Sequence, residues 1–214
     1  TQAYLQHQAH QLEQSLATLN ELRGDAPKHK QLLNLLARVH LELRDWTGLI
    51  GLIPDLRENY AMSSKEIDDL ELQAHRELLK LSLPSGKPGV LEKAWNGLPK
   101  TLRRHPSLIA IYARQLIQQN DMAKAESVLR AAIEDNWDPA LVELYGQTHA
   151  PNPAEQLETA EGWLSAHRHD PKLLLTLARL ALINNQDGKA RGYYETCLTL
   201  HGPVEAYREL GNLL

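Results

Sequence analysis

Phenylalanine is absent from the 214 residues, so a core must be filled by leucine, alanine, tyrosine and tryptophan. Cysteine occurs once. A lone thiol excludes an internal disulfide framework and a cysteine-based zinc site. No run of about eighteen apolar residues exists, so no stretch reads as a membrane-spanning helix. Charge of neither sign dominates: 23 lysines and arginines face 27 aspartates and glutamates, for a net charge of -4. That balance argues against a broad nucleic-acid surface. The catalytic signatures are missing as well. There is no Gly-x-Ser-x-Gly, no P-loop, no His-Glu-x-x-His, and no Gly-x-Gly-x-x-Gly following a strand. The expectation is a protein that is not an enzyme.

What is present is a repeat. Residues 106–139 read as two helices joined by a tight turn. Ile109, Tyr112, Ala113 and Leu116 recur at helical spacing on the first helix. Ala125, Val128, Leu129 and Ala132 do so on the second. Asp121 stands where a side chain caps the second helix, and Pro106 and Pro139 stand where a first turn tolerates proline. Two helices cross closely only where a side chain shrinks to about a methyl group, and small residues sit at 113, 125 and 132. A small residue followed by two more at offsets of twelve and nineteen is the tetratricopeptide (TPR) pattern. It returns in residues 171–203 with Ala178, Ala190 and Cys197. Cys197 thus reads as a buried thiol acting as a small apolar group. The whole ladder is Ala37, Ala74, Ala113, Gly146, Ala178 and Gly211, in steps of 37, 39, 33, 32 and 33.

The fold expected is therefore all-α, a right-handed TPR-type solenoid of antiparallel helix hairpins in one domain over 1–214. Its units fall at 1–26 (partial), 27–62, 63–105, 106–138, 139–170, 171–202 and 203–214 (partial). Residues 4–23 read as one helix whose partner is missing. Asp45 caps a helix in which Pro54 predicts a kink or break. Ser63 and Glu66 form a capping box. Residues 83–89 form the clearest loop, and 154–166 a single helix. The chain opens at Thr1 without methionine and stops inside a repeat, so it reads as a fragment. Its cut terminal repeats suggest contacts between copies, a homo-oligomer.

Candidate site residues follow from the ladder. In a TPR array the first helix of each pair lines a concave groove, and the residue after each small one points into it. Here these are Arg38, His75, Arg114, Gln147, Arg179 and Asn212, with Arg208 on the same face. Arginine carries a planar fork suited to a carboxylate, on a partner peptide or on a porphyrin. Ile117, Leu182 and Ile183 would supply apolar contacts. The alternative is a row of solvated arginines, or partners of Glu42 and Glu77. No cofactor or metal is expected. Among the ten histidines, His7 with His10 and His167 with His169 have chelating spacing, and His149 is a candidate axial haem ligand. A frayed terminus and a solvated loop are the readings preferred for the first four. No Cys-x-x-Cys-His motif accompanies His149.

Several stretches resemble the HemY family: the run Trp137-Asp138-Pro139-Ala140-Leu141-Val142-Glu143-Leu144-Tyr145-Gly146, the preceding 110–132 repeat, the Leu-Ala-Arg and Gly-Lys-Ala elements of 174–190, and Arg44-Asp45-Trp46 followed by Leu52-Ile53-Pro54. The resemblance spans essentially the whole chain. It implies the soluble TPR region of a protein anchored in the inner membrane, on the cytoplasmic side, and associated with a late step of protohaem synthesis. It implies a protein partner in the groove, such as an enzyme of that synthesis. It does not imply the flavin-dependent oxidase that has carried the same name. A porphyrin or haem carrier is the alternative reading.

Overall fold

The computed structural model describes residues 2–81 and 89–213. The described residues contain helices and turns and no strand. They fall into two compact units, Thr1–Leu98 and Pro99–Leu214. The loop expected over 83–89 lies outside the described residues but for Gly89, which precedes helix α6 in a left-handed conformation.

The first unit strings α1 (Gln2–Gln8), α2 (Leu12–Asp25), α3 (Lys30–Glu42), α4 (Trp46–Glu58), α5 (Ser64–Leu81) and α6 (Val90–Asn96), each packed against the next. Leu33, Leu36, Leu49, Leu52 and Leu56 are fully buried at its centre. The second unit begins with a 3-10 turn at Leu102–Arg104. It continues through α7 (Pro106–Gln118), α8 (Met122–Asp135), α9 (Pro139–Tyr145), α10 (Pro153–Gly162), α11 (Leu164–His167), α12 (Pro171–Ile183), α13 (Asp187–Thr199) and α14 (Val204–Leu213). Here α7 packs on both α8 and α9, and α12 on α9, α10 and α13. The first helices α7, α9 and α12 thus meet in series while α7 and α12 also pack on their own partners α8 and α13, the nearest-neighbour packing of a TPR-like α-solenoid.

One turn geometry recurs and sets the register. His10, Arg44, Asn120 and Asn185 all have φ between 55° and 62°. Each stands seven residues after a small residue: Ala3, Ala37, Ala113 or Ala178. In each turn the next amide reaches back five residues, as from Asp45 to the His40 carbonyl at 2.9 Å and from Asp121 to Leu116 at 2.9 Å. This is the Schellman ending of a helix, and it lets the next helix start at once. Two of the four turns use asparagine, which tolerates left-handed backbone; Arg44 does not gain that tolerance. We expect Arg44→Gly to stabilise the chain by about 0.5–1 kcal/mol, since relief of the left-handed penalty exceeds the entropy cost of glycine. Thermal melts of the two proteins measure it.

The sequence expectations need four corrections. Residues 4–23 are not one helix. His10 turns the chain, and α1 folds back on α2 as a hairpin of its own, with the Ser15 hydroxyl donating to the Ala3 carbonyl at 2.9 Å. Ala3 and Ser15 are buried and sit twelve apart, so the ladder gains a rung below Ala37. Pro54 does not break α4, which runs unbroken from Trp46 to Glu58. The helix expected over 154–166 stops at Gly162 and resumes as α11. Gly211 is exposed and an added Cβ there meets nothing, so it is not a crossing point in this structure. The remaining rungs are buried, and Cys197 is buried with its Sγ 3.2 Å from the Pro171 carbonyl. The capping box forms: the Glu66 carboxylate accepts from the Ser63 amide at 2.9 Å and hydroxyl at 2.6 Å.

Between α9 and α10 the chain has no Schellman turn. A buried side chain, Gln156, holds this loop instead. Its amide nitrogen donates to the carbonyls of Tyr145 at 2.9 Å and Thr148 at 2.8 Å, and its oxygen accepts from the Ala150 amide at 3.2 Å. Gly146 lets α9 and α12 close on each other. A Cβ there would lie 2.9 Å from Thr176 Oγ1 and 3.0 Å from Thr176 Cα. Thr176 in turn donates to the Val142 carbonyl at 2.8 Å, 34 residues back.

Candidate functional site

Three of the ladder-following residues meet in one groove of the second unit. Gln147 comes from the turn that follows α9, Arg179 from α12 and Asn212 from α14. Their spacing in sequence is 32 and 33, so the repeat register alone brings them together. Leu182 and Ile183 line the same groove from the last turn of α12. Its volume is about 540 Å³, and His149, Tyr194 and Glu209 complete the wall.

Arg179 is not free in this groove. Its Nε donates to Glu209 Oε2 at 3.0 Å and its Nη2 to Glu209 Oε1 at 2.7 Å. The Tyr194 hydroxyl donates to the same carboxylate at 3.0 Å. Hydrogen bonding to Glu209 raises the Arg179 pKa against the opposing effect of burial. Burial pushes the Glu209 carboxyl up, but the bonds from Arg179 and Tyr194 outweigh it and hold the group below the ordinary carboxylate value. Burial and the Glu209 carboxylate drive the Tyr194 phenol upward. One Arg179 nitrogen, Nη1, is buried and lacks an acceptor. Sequence reasoning picked Arg179 and passed over Glu209. The signal was available: opposite charges about one repeat apart also pair as Lys172 with Glu143 and Lys189 with Glu161.

The other candidates are dispersed. Arg114 is exposed and Ile117 half-buried on α7, and neither lines the Arg179 groove. Arg208 is exposed on α14 beside Glu209. In the first unit His75 is buried on α5, and burial lowers its pKa against the pull of Glu71. It is thus neutral at pH 7 and offers no fixed positive charge. Arg38 is exposed and borders a second groove of about 700 Å³ with Tyr4, Leu22, Leu32 and Leu35. Tyr4 follows Ala3 as Arg38 follows Ala37, a rung the sequence reading missed because it took residues 4–23 as one helix.

The histidine pairs are spent on other contacts or stand apart. His7 Nε2 lies 2.8 Å from Glu42 Oε1. The His167 ring stacks on Trp137 at 3.5 Å between centroids and 4° between planes. Trp163 meets Trp137 edge-on at 5.9 Å, and the Trp137 indole donates to Asp170 at 3.0 Å. Asp170 also caps α12, accepting from the Lys172 amide at 2.8 Å. The Trp137–Gly146 run is therefore a corner that fastens two repeats together. Among the described residues no three or more histidine, cysteine or acidic side chains gather as a metal site. Among the same residues no helix is long and apolar enough to cross a membrane.

No family model matches the chain. Over 140 residues, 65% of its length, it is 22% identical to Protein HemY of Escherichia coli (strain K12) and covers 35% of that protein. Protein HemY of Shigella flexneri gives the same values. The chain thus spans about a third of the length of the curated relatives it matches. Two solved structures are similar. The crystal structure of yeast Tom70 superposes with a TM-score of 0.49 at 14% identity, covering 94% of this chain and 43% of Tom70. The P58(IPK) TPR domain gives 0.36 at 14% identity, with coverage of 99% and 62%.

Proposed function

We propose that this chain is a non-enzymatic scaffold, the TPR region of a HemY-like protein, and that it holds a protein partner in the Arg179 groove. The observation that carries the reading is the convergence of Gln147, Arg179 and Asn212 over Leu182 and Ile183. Amide side chains at the rim suit the peptide backbone of a partner, and an apolar floor suits its side chains. The distant similarity to Protein HemY supports a place beside the enzymes of a late step of protohaem synthesis, with the parent protein anchored in the inner membrane and this region facing the cytoplasm.

The test is capture of detergent-solubilised membrane enzymes of haem synthesis by the purified chain. A charge on the groove floor, Leu182→Asp, is expected to weaken capture at least tenfold, while Arg114→Ala, outside the groove, leaves it unchanged; about tenfold corresponds to about 1.4 kcal/mol. Equal capture by a folded Leu182→Asp protein would remove the groove from the reading. The exposed His149 at the rim supports one competing occupant, a porphyrin on the same floor. A saturable Soret shift with haem, lost in His149→Ala, would put the carrier reading first.

A further inference from the structure

The groove contains its own evidence of what it recognises. Glu209 presents a carboxylate to Arg179 as a ligand would: two parallel N–H donors at 3.0 and 2.7 Å grip its two oxygens, and a phenol donates a third bond at 3.0 Å. This arrangement is selective for a planar carboxylate. The grip is also incomplete, since Arg179 Nη1 is buried without an acceptor. Glu209 belongs to α14, which packs on α13. The contact from α14 to Arg179 on α12 is made by this side chain. On the same helix Ala206 is buried, whereas Val204 and Tyr207 are 78% and 58% exposed.

We infer that the Arg179 fork is a carboxylate-binding site for an acidic segment of a partner polypeptide, and that Glu209 occupies it as an internal competitor until the partner displaces it. This rests on the groove reading above and names the chemistry the groove selects. Leu182 and Ile183 would hold the apolar residue next to the incoming carboxylate. Binding then frees the Glu209 side chain from the fork, while Asn212 on the same helix stays at the rim. The scaffold would be shut to weak acidic ligands and open to a partner that brings both a carboxylate and an apolar neighbour.

The experiment uses the whole chain and a fluorescein-labelled peptide, Leu-Leu-Glu-Glu with a free C-terminus, read by fluorescence anisotropy. Its uncharged counterpart, Leu-Leu-Gln-Gln amide, is the control. Glu209→Gln is expected to bind the acidic peptide about tenfold or more tightly than the native chain, as expected for charge-assisted bonds released to an outside acceptor. The control peptide gains nothing. Adding Arg179→Lys to Glu209→Gln removes the gain, because an ammonium lacks the planar fork. Tyr194→Phe keeps the Glu209 charge and loosens its hold, so a smaller gain is expected there. It serves as the second variant if Glu209→Gln unfolds α14 by circular dichroism. Equal affinity of folded Glu209→Gln, folded Tyr194→Phe and native chain for the acidic peptide overturns the inference, as does an equal gain for both peptides. Loss of this effect with Leu182-dependent partner capture intact would fell the carboxylate assignment and leave the groove reading standing.

Discussion

Replacing Gln156 by leucine is expected to destabilise the second unit by about 3 kcal/mol or more, the largest effect of any polar-to-apolar change we foresee. The side chain is 2% exposed and makes three bonds to backbone atoms of the loop. Leucine fills a similar volume, so the loss is not a cavity. It is the desolvation penalty of the Thr148 carbonyl and the Ala150 amide left without partners, plus the bond to Tyr145. Each such group costs about 1–3 kcal/mol when buried and unpaired. The exposed neighbour Glu158→Leu should stay within about 0.5 kcal/mol of the native value. Chemical denaturation followed by the fluorescence of Trp137 and Trp163, both in this unit, measures the two. Hydrogen exchange should quicken across α9 and α10 in the Gln156 variant before it does in α7 and α8, because the loop tethers the former pair alone.

A second large effect is expected at Gly146. Valine there should cost about 3 kcal/mol or more, since overpacking at a tight crossing usually costs about 1–3 and this one meets backbone. The added Cβ would stand 3.0 Å from Thr176 Cα, which cannot step aside without moving α12. The bond from Thr176 to Val142 would go with it. Gly51, inside α4, is the informative control: an added Cβ meets nothing. Gly51→Ala should raise stability by about 0.5–1 kcal/mol, the helix preference for alanine over glycine. Opposite signs at two glycines would separate the crossing from the general cost of glycine. A destabilisation by Gly146→Val no larger than about 0.5 kcal/mol would mean the helices part readily there, against the general experience that packed interiors resist added volume.

Much of this architecture was legible in the small-residue ladder because a helix crossing tolerates so few side chains. Ala37, Ala74, Ala113, Gly146 and Ala178 all proved to be buried. The rung at Ala3 was hidden by its partner, Ser15, a polar residue that does the work of a small one by donating to the facing backbone. The turn at His10 was hidden for a related reason. Left-handed backbone advertises itself as glycine or asparagine, and histidine and arginine hold it in two of the four hairpins. Of the candidate site, the convergence of Gln147, Arg179, Leu182, Ile183 and Asn212 followed from repeat spacing. The occupation of Arg179 by Glu209 did not, since spacing says which residues share a face and not which charges reach each other. The burial of His75 was not legible either, because it depends on neighbours packed from other helices, which periodicity within one helix does not report.

The bonds between elements carry one more consequence. The ties described above reach back about one repeat: 33 residues from Asp170 to Trp137, 34 from Thr176 to Val142, 35 from Glu42 to His7. Chain segments that must find each other are thus never far apart along the polypeptide, and the entropy lost in closing each loop grows only slowly with its length. Folding of such a chain can begin at any hairpin and spread outward, at rates typical of proteins with mostly local contacts. Unfolding runs the same way in reverse, one hairpin after another, because each repeat leans only on its neighbours.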